Sequence, residues 1–192
     1  MVKKNLLQHK IGNSISQKDQ RIEKERSFHL LVNVDHYGMI KDIEGWMHID
    51  EAEVLWQTIQ NKTNCLELGT YKGLSTWIIS HANLTARITT VDVFETLTNQ
   101  AKQNCSNFNN ISFVTADSNT WLKNCFEKYD WVFVDHSHEK DYMDVTIDLL
   151  KLCVSKNHII LLHDIHLPGV RSQLKKFSKY TTHRNLGIGQ FW

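Results

Sequence analysis

The chain has 192 residues, enough for one domain with a substantial core plus an appendage, since domains most often run to about 100–150 residues. Its 22 lysines and arginines nearly balance 21 aspartates and glutamates, so the summed charge draws in neither a polyanion nor a membrane surface, and such a partner needs a local patch. A polar, charged start without the apolar stretch of a secretory signal, the absence of any bilayer-length apolar run, and four scattered cysteines without a Cys-x-x-Cys pair lead us to expect a reduced, soluble, cytoplasmic protein.

Residues 1–44 read as an N-terminal extension, helical or partly disordered. Through residue 26 it alternates charge with sparse apolar residues (Leu6, Leu7, Ile11, Ile15, Ile22), too few to bury much surface alone, which makes it a candidate contact for a homo-oligomer. Residues 45–192 read as the main domain. There Asp50-Glu51-Ala52-Glu53 resembles a capping box opening a helix that turns Val54, Leu55 and Ile59 inward. From Asn64 onward short apolar runs alternate with helical segments, predicting strands at 64–68, 87–91, 111–115, 131–134 and 158–162 and helices at 74–81, 95–107, 118–126 and 139–153. The strand cores, such as Trp131-Val132-Phe133-Val134, are continuously apolar, as in strands covered on both faces. Right-handed crossovers then give an α/β fold with a doubly wound sheet. Pro168 marks a turn after the fifth strand, a basic helix is expected over 169–179, and 186–192 reads as one more strand, antiparallel or closing the edge.

Ligands of such sheets sit at the carboxyl ends of the strands, where this chain places Glu67, Asp92, Asp117, Asp135 and Asp164. The first turn, Glu67-Leu68-Gly69-Thr70-Tyr71-Lys72-Gly73-Leu74-Ser75, has its glycines four apart with Tyr71 between them, which opposes the G-x-G-x-x-G spacing of a pyrophosphate site. Lys72-Gly73-Leu74 likewise fails the Gly-Lys-Ser/Thr order of a phosphate-binding loop. A nucleoside without phosphates remains. Asp92, about 20 residues past the glycines, suits its ribose hydroxyls, and Asp117 either accepts from an adenine amino group or caps the next helix.

These residues carry a family resemblance. The segment from Glu67 to Thr76 resembles the first motif of class I methyltransferases, especially the methyltransferase domain 24 branch, and Gly45-Trp46-Met47 is similar to the lead-in of that branch. Asp135-His136-Ser137-His138 resembles its fourth-strand Asp-Gly-x-His motif with His136 in place of glycine, and Leu162-His163-Asp164 with Gly169-Val170 resembles its fifth-strand end. The resemblance implies a Rossmann-like, mostly parallel seven-stranded sheet with helices on both faces, and S-adenosyl-L-methionine as cofactor. It places Glu67, Gly69, Thr70, Tyr71, Gly73 and Ser75 around the methionine part, Asp92 with Val93 at the ribose, Asp117 with Ser118 at the adenine, and Asp135 in the same set.

A sulfonium methyl is already electrophilic, so the protein has to align a nucleophile and remove its proton. Candidate bases are His136, His138 and His163. Alternatively Asp135 and Asp164 hold a divalent cation, Mg2+ or, with added histidine nitrogen, manganese, iron or zinc. The candidate catalytic set is His138, Asp135 and His163. The expected acceptor is a small hydroxylated metabolite or sugar, and the absence of an Asn-Pro-Pro-Tyr-type motif argues against nucleic acid. A non-catalytic cofactor-binding or assembly protein of the same fold is the alternative, while the glycine spacing opposes a nicotinamide-dependent oxidoreductase. The run Arg171, Lys175, Lys176, Lys179, His183, Arg184 reads as a solvated face or as a contact for a phosphate-bearing substrate.

Overall fold

The computed structural model describes residues 43–45 and 47–192. The expected extension over 1–44 therefore lies outside the described residues except for Ile43 and Glu44. None of the described helices is long and apolar enough to cross a membrane.

Helix α1 (Ile49–Ile59) leads into β1 (Asn64–Leu68), and β1 to β5 then alternate with helices: α2 (Leu74–Ala82), β2 (Arg87–Asp92), α3 (Glu95–Asn104), β3 (Ile111–Thr115), α4 (Ser118–Lys123), β4 (Tyr129–Val134), α5 (Lys140–Cys153), β5 (Val154–Leu162). A short α6 (Pro168–Arg171), a 3-10 turn (Ser172–Lys176) and a hairpin of β6 (Lys179–His183) and β7 (Leu186–Gln190) follow. The seven strands lie in the order β3-β2-β1-β4-β5-β7-β6. The first five are parallel, and β7 runs antiparallel between β5 and β6. The strand order reverses between β1 and β4, which puts the crevice for a ligand at their carboxyl ends.

Alternation along each strand sorts the core into two layers. Leu66, Leu68, Val132, Val134, Ile160 and Leu162 pack with Met143, Ile147 and Leu150 of α5 and Leu122 of α4. Their sequence neighbours Glu67, Trp131 and His163 reach the other layer: Trp131 Nε1 donates to Thr58 of α1 at 3.0 Å, and Glu67 meets Thr76 of α2.

Three expectations change. The N-cap of α1 is His48, not Asp50: its Nδ1 accepts from the Asp50 amide, and the Glu51 carboxylate reaches back to the His48 amide at 2.8 Å. Glu51 and Ala52 join Leu55 and Ile59 as the buried residues, while Val54 is half-buried. The basic helix over 169–179 shrinks to α6 and one 3-10 turn, because residues from Lys179 onward pair with β7. Finally, β5 starts at Val154 rather than His158 and loses register against β4 between the pairs Tyr129–Val154 and Trp131–Ile159. His158 sits in that irregular stretch with Nδ1 on the Ser155 carbonyl and Nε2 accepting from Phe191, a structural pin.

Candidate functional site

The turn after β1 is shaped by what it must pass. Gly69 has φ +101, and a Cβ there would come 2.0 Å from the Asp135 carbonyl oxygen, so the first turn and the end of β4 approach too closely for any side chain. Tyr71 also takes a left-handed conformation (φ 46), and its amide donates to Asp92 Oδ2 at 2.8 Å. Asp92 Oδ1 accepts from the Phe94 amide at 2.9 Å, which ties the end of β2 to the turn and aims the carboxylate at the crevice.

Two cavities meet at this turn, sharing Gly69, Tyr71 and Asp135. The first, about 490 Å3, is lined by Asp92, Val93, Asp117, Ser118, His136 and Tyr142 among others. The second, about 310 Å3, takes in Thr70, Ser75, His163 and Asp164. Thus Gly69, Thr70, Tyr71, Ser75, Asp92, Val93, Asp117, Ser118 and Asp135 all come to the crevice. Glu67 and Gly73 line neither cavity. Glu67 is fully buried behind the turn, where Thr76 and Thr90 donate to its Oε2 at 2.5 and 2.6 Å, and burial pushes its pKa up to about 7 against those bonds. Gly73 is the left-handed N-cap of α2, set against Ala101 of α3 and Cys105, which caps the end of that helix.

Asp117 takes both roles left open for it. Its Oδ1 caps α4 by accepting from the Thr120 amide at 2.8 Å, while the carboxylate also lines the first cavity. Tyr142 of α5 donates to its Oδ2 at 2.6 Å, and that bond holds its pKa below the usual carboxylate range. Next to it the ring of His136 stands edge-on to Tyr142 at 5.2 Å, with Nε2 3.3 Å from Thr146. Burial lowers the His136 pKa to about 4, so this ring is neutral at pH 7 and a weak base.

The fourth and fifth strands bring a second group together. Single ligand atoms of Asp135, His138 and Asp164 lie within 4.8 Å of one another, with His138 Nε2 3.1 Å from Asp164 Oδ2. Asp164 is held in place by a left-handed backbone (φ 57). His138 is placed by α6: a Cβ at Gly169 would come 2.1 Å from the His138 carbonyl, so the start of α6 abuts this loop.

His163 lies behind these groups, only 5% exposed. Its Nδ1 is 3.2 Å from Asp135 Oδ1 and 3.5 Å from Asp164 Oδ1, and its Nε2 is 3.3 Å from Glu51 Oε2. Burial opposes its charge, but the bond and charge of Asp135, the charge of Asp164 and the bond to Glu51 outweigh it and push the pKa up to about 9. Both ring nitrogens face carboxylates and the ring is buried, so His163 is placed to hold those carboxylates rather than to reach an acceptor as the base expected from sequence. Glu51, Tyr142 and Glu44, which pairs with Lys72 and accepts from Tyr71, are site residues that sequence reasoning missed. For Glu51 the only signal is its place in the first turn of α1, which reads as a cap.

A family model described as a methyltransferase domain matches residues 66–165. No curated protein matches the chain in sequence. Among solved structures, the SAH-bound methyltransferase PaMTH1 of Podospora anserina is similar with a TM-score of 0.68 at 13% identity, over 92% of this chain and 97% of that one. The O-methyltransferase from Bacillus cereus in complex with SAH gives 0.62 at 16% identity, over 90% and 97%. The O-methyltransferase TomG of Streptomyces achromogenes, involved in tomaymycin synthesis and solved with SAM, gives 0.62 at 13%, over 86% and 87%. At such identities the likeness is one of fold, and it agrees with the crevice at the β1/β4 reversal. With more than half its length matched by the family model, the chain belongs to the methyltransferase domain 24 family of class I S-adenosylmethionine-dependent methyltransferases.

Proposed function

We propose that the protein methylates a hydroxyl group of a small acceptor, using S-adenosylmethionine in the two joined cavities and a divalent cation held by Asp135, His138 and Asp164. The observation that carries this reading is the convergence of those three ligand atoms within 4.8 Å beside the Gly69 turn. The residues fit both groups. The first cavity falls in the size range of small-ligand pockets, and Gly69 leaves its rim bare. Two carboxylates and one imidazole are a donor set for a divalent cation, with nitrogen favouring manganese, iron or zinc over magnesium.

Bound S-adenosylmethionine supplies an electrophilic methyl, and a bound cation supplies Lewis acidity that lowers the pKa of an acceptor hydroxyl. The rest falls to the chain. Asp92 accepts from the ribose hydroxyls, and Asp117 with Ser118 meets the adenine. Tyr142 fixes the Asp117 carboxylate, and neutral His136 adds no charge beside the base. Asp135, common to both cavities, stands between cofactor and acceptor. His163 serves as a positioning residue that orients the carboxylates of Asp135 and Asp164 from behind, as hydrogen-bond partners of metal ligands do. Of the three histidines proposed as bases, only His138 is exposed, and a cation held there takes up its ring nitrogen in place of that role.

The test is calorimetry with S-adenosylhomocysteine, followed by methyl transfer to paired alcohol and amine acceptors with Mn2+, Mg2+ or chelator. We expect cofactor binding, transfer to the alcohol, and loss of transfer on chelation and in Asp164→Ala. Transfer to amines that survives chelation would overturn the reading, and binding with no turnover on any acceptor would return the non-catalytic alternative.

A further inference from the structure

Arg171, Lys175 and Arg184 are far from obvious partners in sequence, two on the segment after β5 and one in the hairpin turn between β6 and β7. Folding brings all three to the wall of one cleft of about 520 Å3, which is also lined by His166, Tyr180 and Thr182. No aspartate or glutamate lines it. Arg184 engages the carboxylate of Asp50, and neighbouring Lys176 is taken up by Asp144 and Asp148. Arg171 and Lys175 have no acidic partner among the described residues. The cleft therefore carries two uncompensated positive charges in a chain whose formal net charge is only +1.

We infer that this cleft receives a phosphate monoester group on the acceptor, an inference that rests on the methyl-transfer reading above. Two spare cations match a phosphate dianion, the Arg171 guanidinium suits its oxygens, and Tyr180 and Thr182 offer hydroxyls at the cleft wall. The seat is rigid where it counts. The Asn185 amide donates to Glu51 Oε1 at 3.2 Å, and the Ile165 amide donates to the Asn185 carbonyl at 3.0 Å, so the turn bearing Arg184 is fastened to α1 and to the chain after Asp164.

The cleft also adjoins the transfer site. His166 lines it while its Nδ1 lies 3.7 Å from Asp164 Oδ1, and Asp164 lines the cavity that contains Gly69 and Asp135. The short segment 164–166 thus serves both spaces, and an acceptor whose phosphate is seated by Arg171 and Lys175 extends its remaining atoms toward Asp164. A nucleic-acid strand is the less suited occupant, because strand binding needs cations repeated along a track to neutralise several phosphates.

The full chain should be titrated with inorganic phosphate and with glycerol 3-phosphate, with glycerol as the uncharged control and a short single-stranded RNA as competitor, at constant ionic strength. Both phosphates are expected to bind and glycerol not to. Arg171→Gln combined with Lys175→Gln, both at exposed positions, should weaken phosphate binding about tenfold or more, and Lys123→Gln, at the end of α4 and outside the cleft lining, should leave it unchanged. S-adenosylhomocysteine binding should persist in all variants. Phosphate binding that is absent in the wild type, or equal in the double variant, overturns the inference. So does RNA that binds more tightly than glycerol 3-phosphate with a steep salt dependence. Loss of S-adenosylhomocysteine binding in the wild type would instead strike the methyl-transfer reading, so the two failures are distinguishable.

Discussion

The amide of Tyr71 donates to the carboxylate of Asp92 at 2.8 Å, joining the loop after β1 to the tip of β2 through residues 21 apart in sequence. One side chain thus shapes the turn and faces the cavity. Asp92→Ala should raise the Kd for S-adenosylhomocysteine by about ten- to a hundredfold, the worth of a charged hydrogen bond. Calorimetry on the folded variant checks this, and an unchanged Kd would place the ribose elsewhere.

Gly69→Ala tests the approach of the first turn to β4. The added methyl meets the Asp135 carbonyl at 2.0 Å in a backbone region that alanine avoids. We expect a loss of about 2 kcal/mol or more and no measurable cofactor binding, read from urea unfolding and calorimetry. Wild-type stability would mean that the turn relaxes without cost.

Glu67 gives a pH dependence of definite sign. Its folded pKa of about 7 lies above the ordinary value of 4.5, so folding favours the protonated acid. That stabilisation is complete below pH 4.5 and disappears as pH rises through about 7. Glu67→Gln does not titrate, so between those limits it should gain on the wild type by up to about 3 kcal/mol. Urea midpoints at several pH values decide it, and parallel profiles for the two proteins would refute the assignment.

Glu51 is buried and meets three groups, the amides of His48 and Asn185 and the ring of His163. Glu51→Ala leaves the buried His163 ring and two backbone amides without their carboxylate and should cost about 3 kcal/mol. Removing the exposed pair Lys151–Asp148 should cost under about 0.5 kcal/mol. Comparable losses from the two would show that burial does not strengthen the Glu51 network.

The strands β1 to β4 are legible in the sequence because each is a short apolar run closed by a carboxylate or glycine, and the order of those carboxylates marks the crevice. Strand β6 is not: all five of its residues are exposed, none of its side chains enters the core, and only pairing with β7 makes it a strand. The start of β5 is hidden by Ser155, Lys156 and Asn157, which read as a loop. Within the site, Asp135 and Asp164 stand out by position. Glu51 and Tyr142 do not, because their contacts with His163 and Asp117 join helix residues to strand ends 112 and 25 positions away. No local pattern encodes such pairs.

Asp164 holds φ 57, a conformation that costs a non-glycine residue about 1 kcal/mol. Asp164→Gly would relieve that strain while deleting the carboxylate beside His138. The same change would take a carboxylate from the buried His163 ring and dismantle the centre, so relief of strain at this one position is set against both its charge contacts and its chemistry.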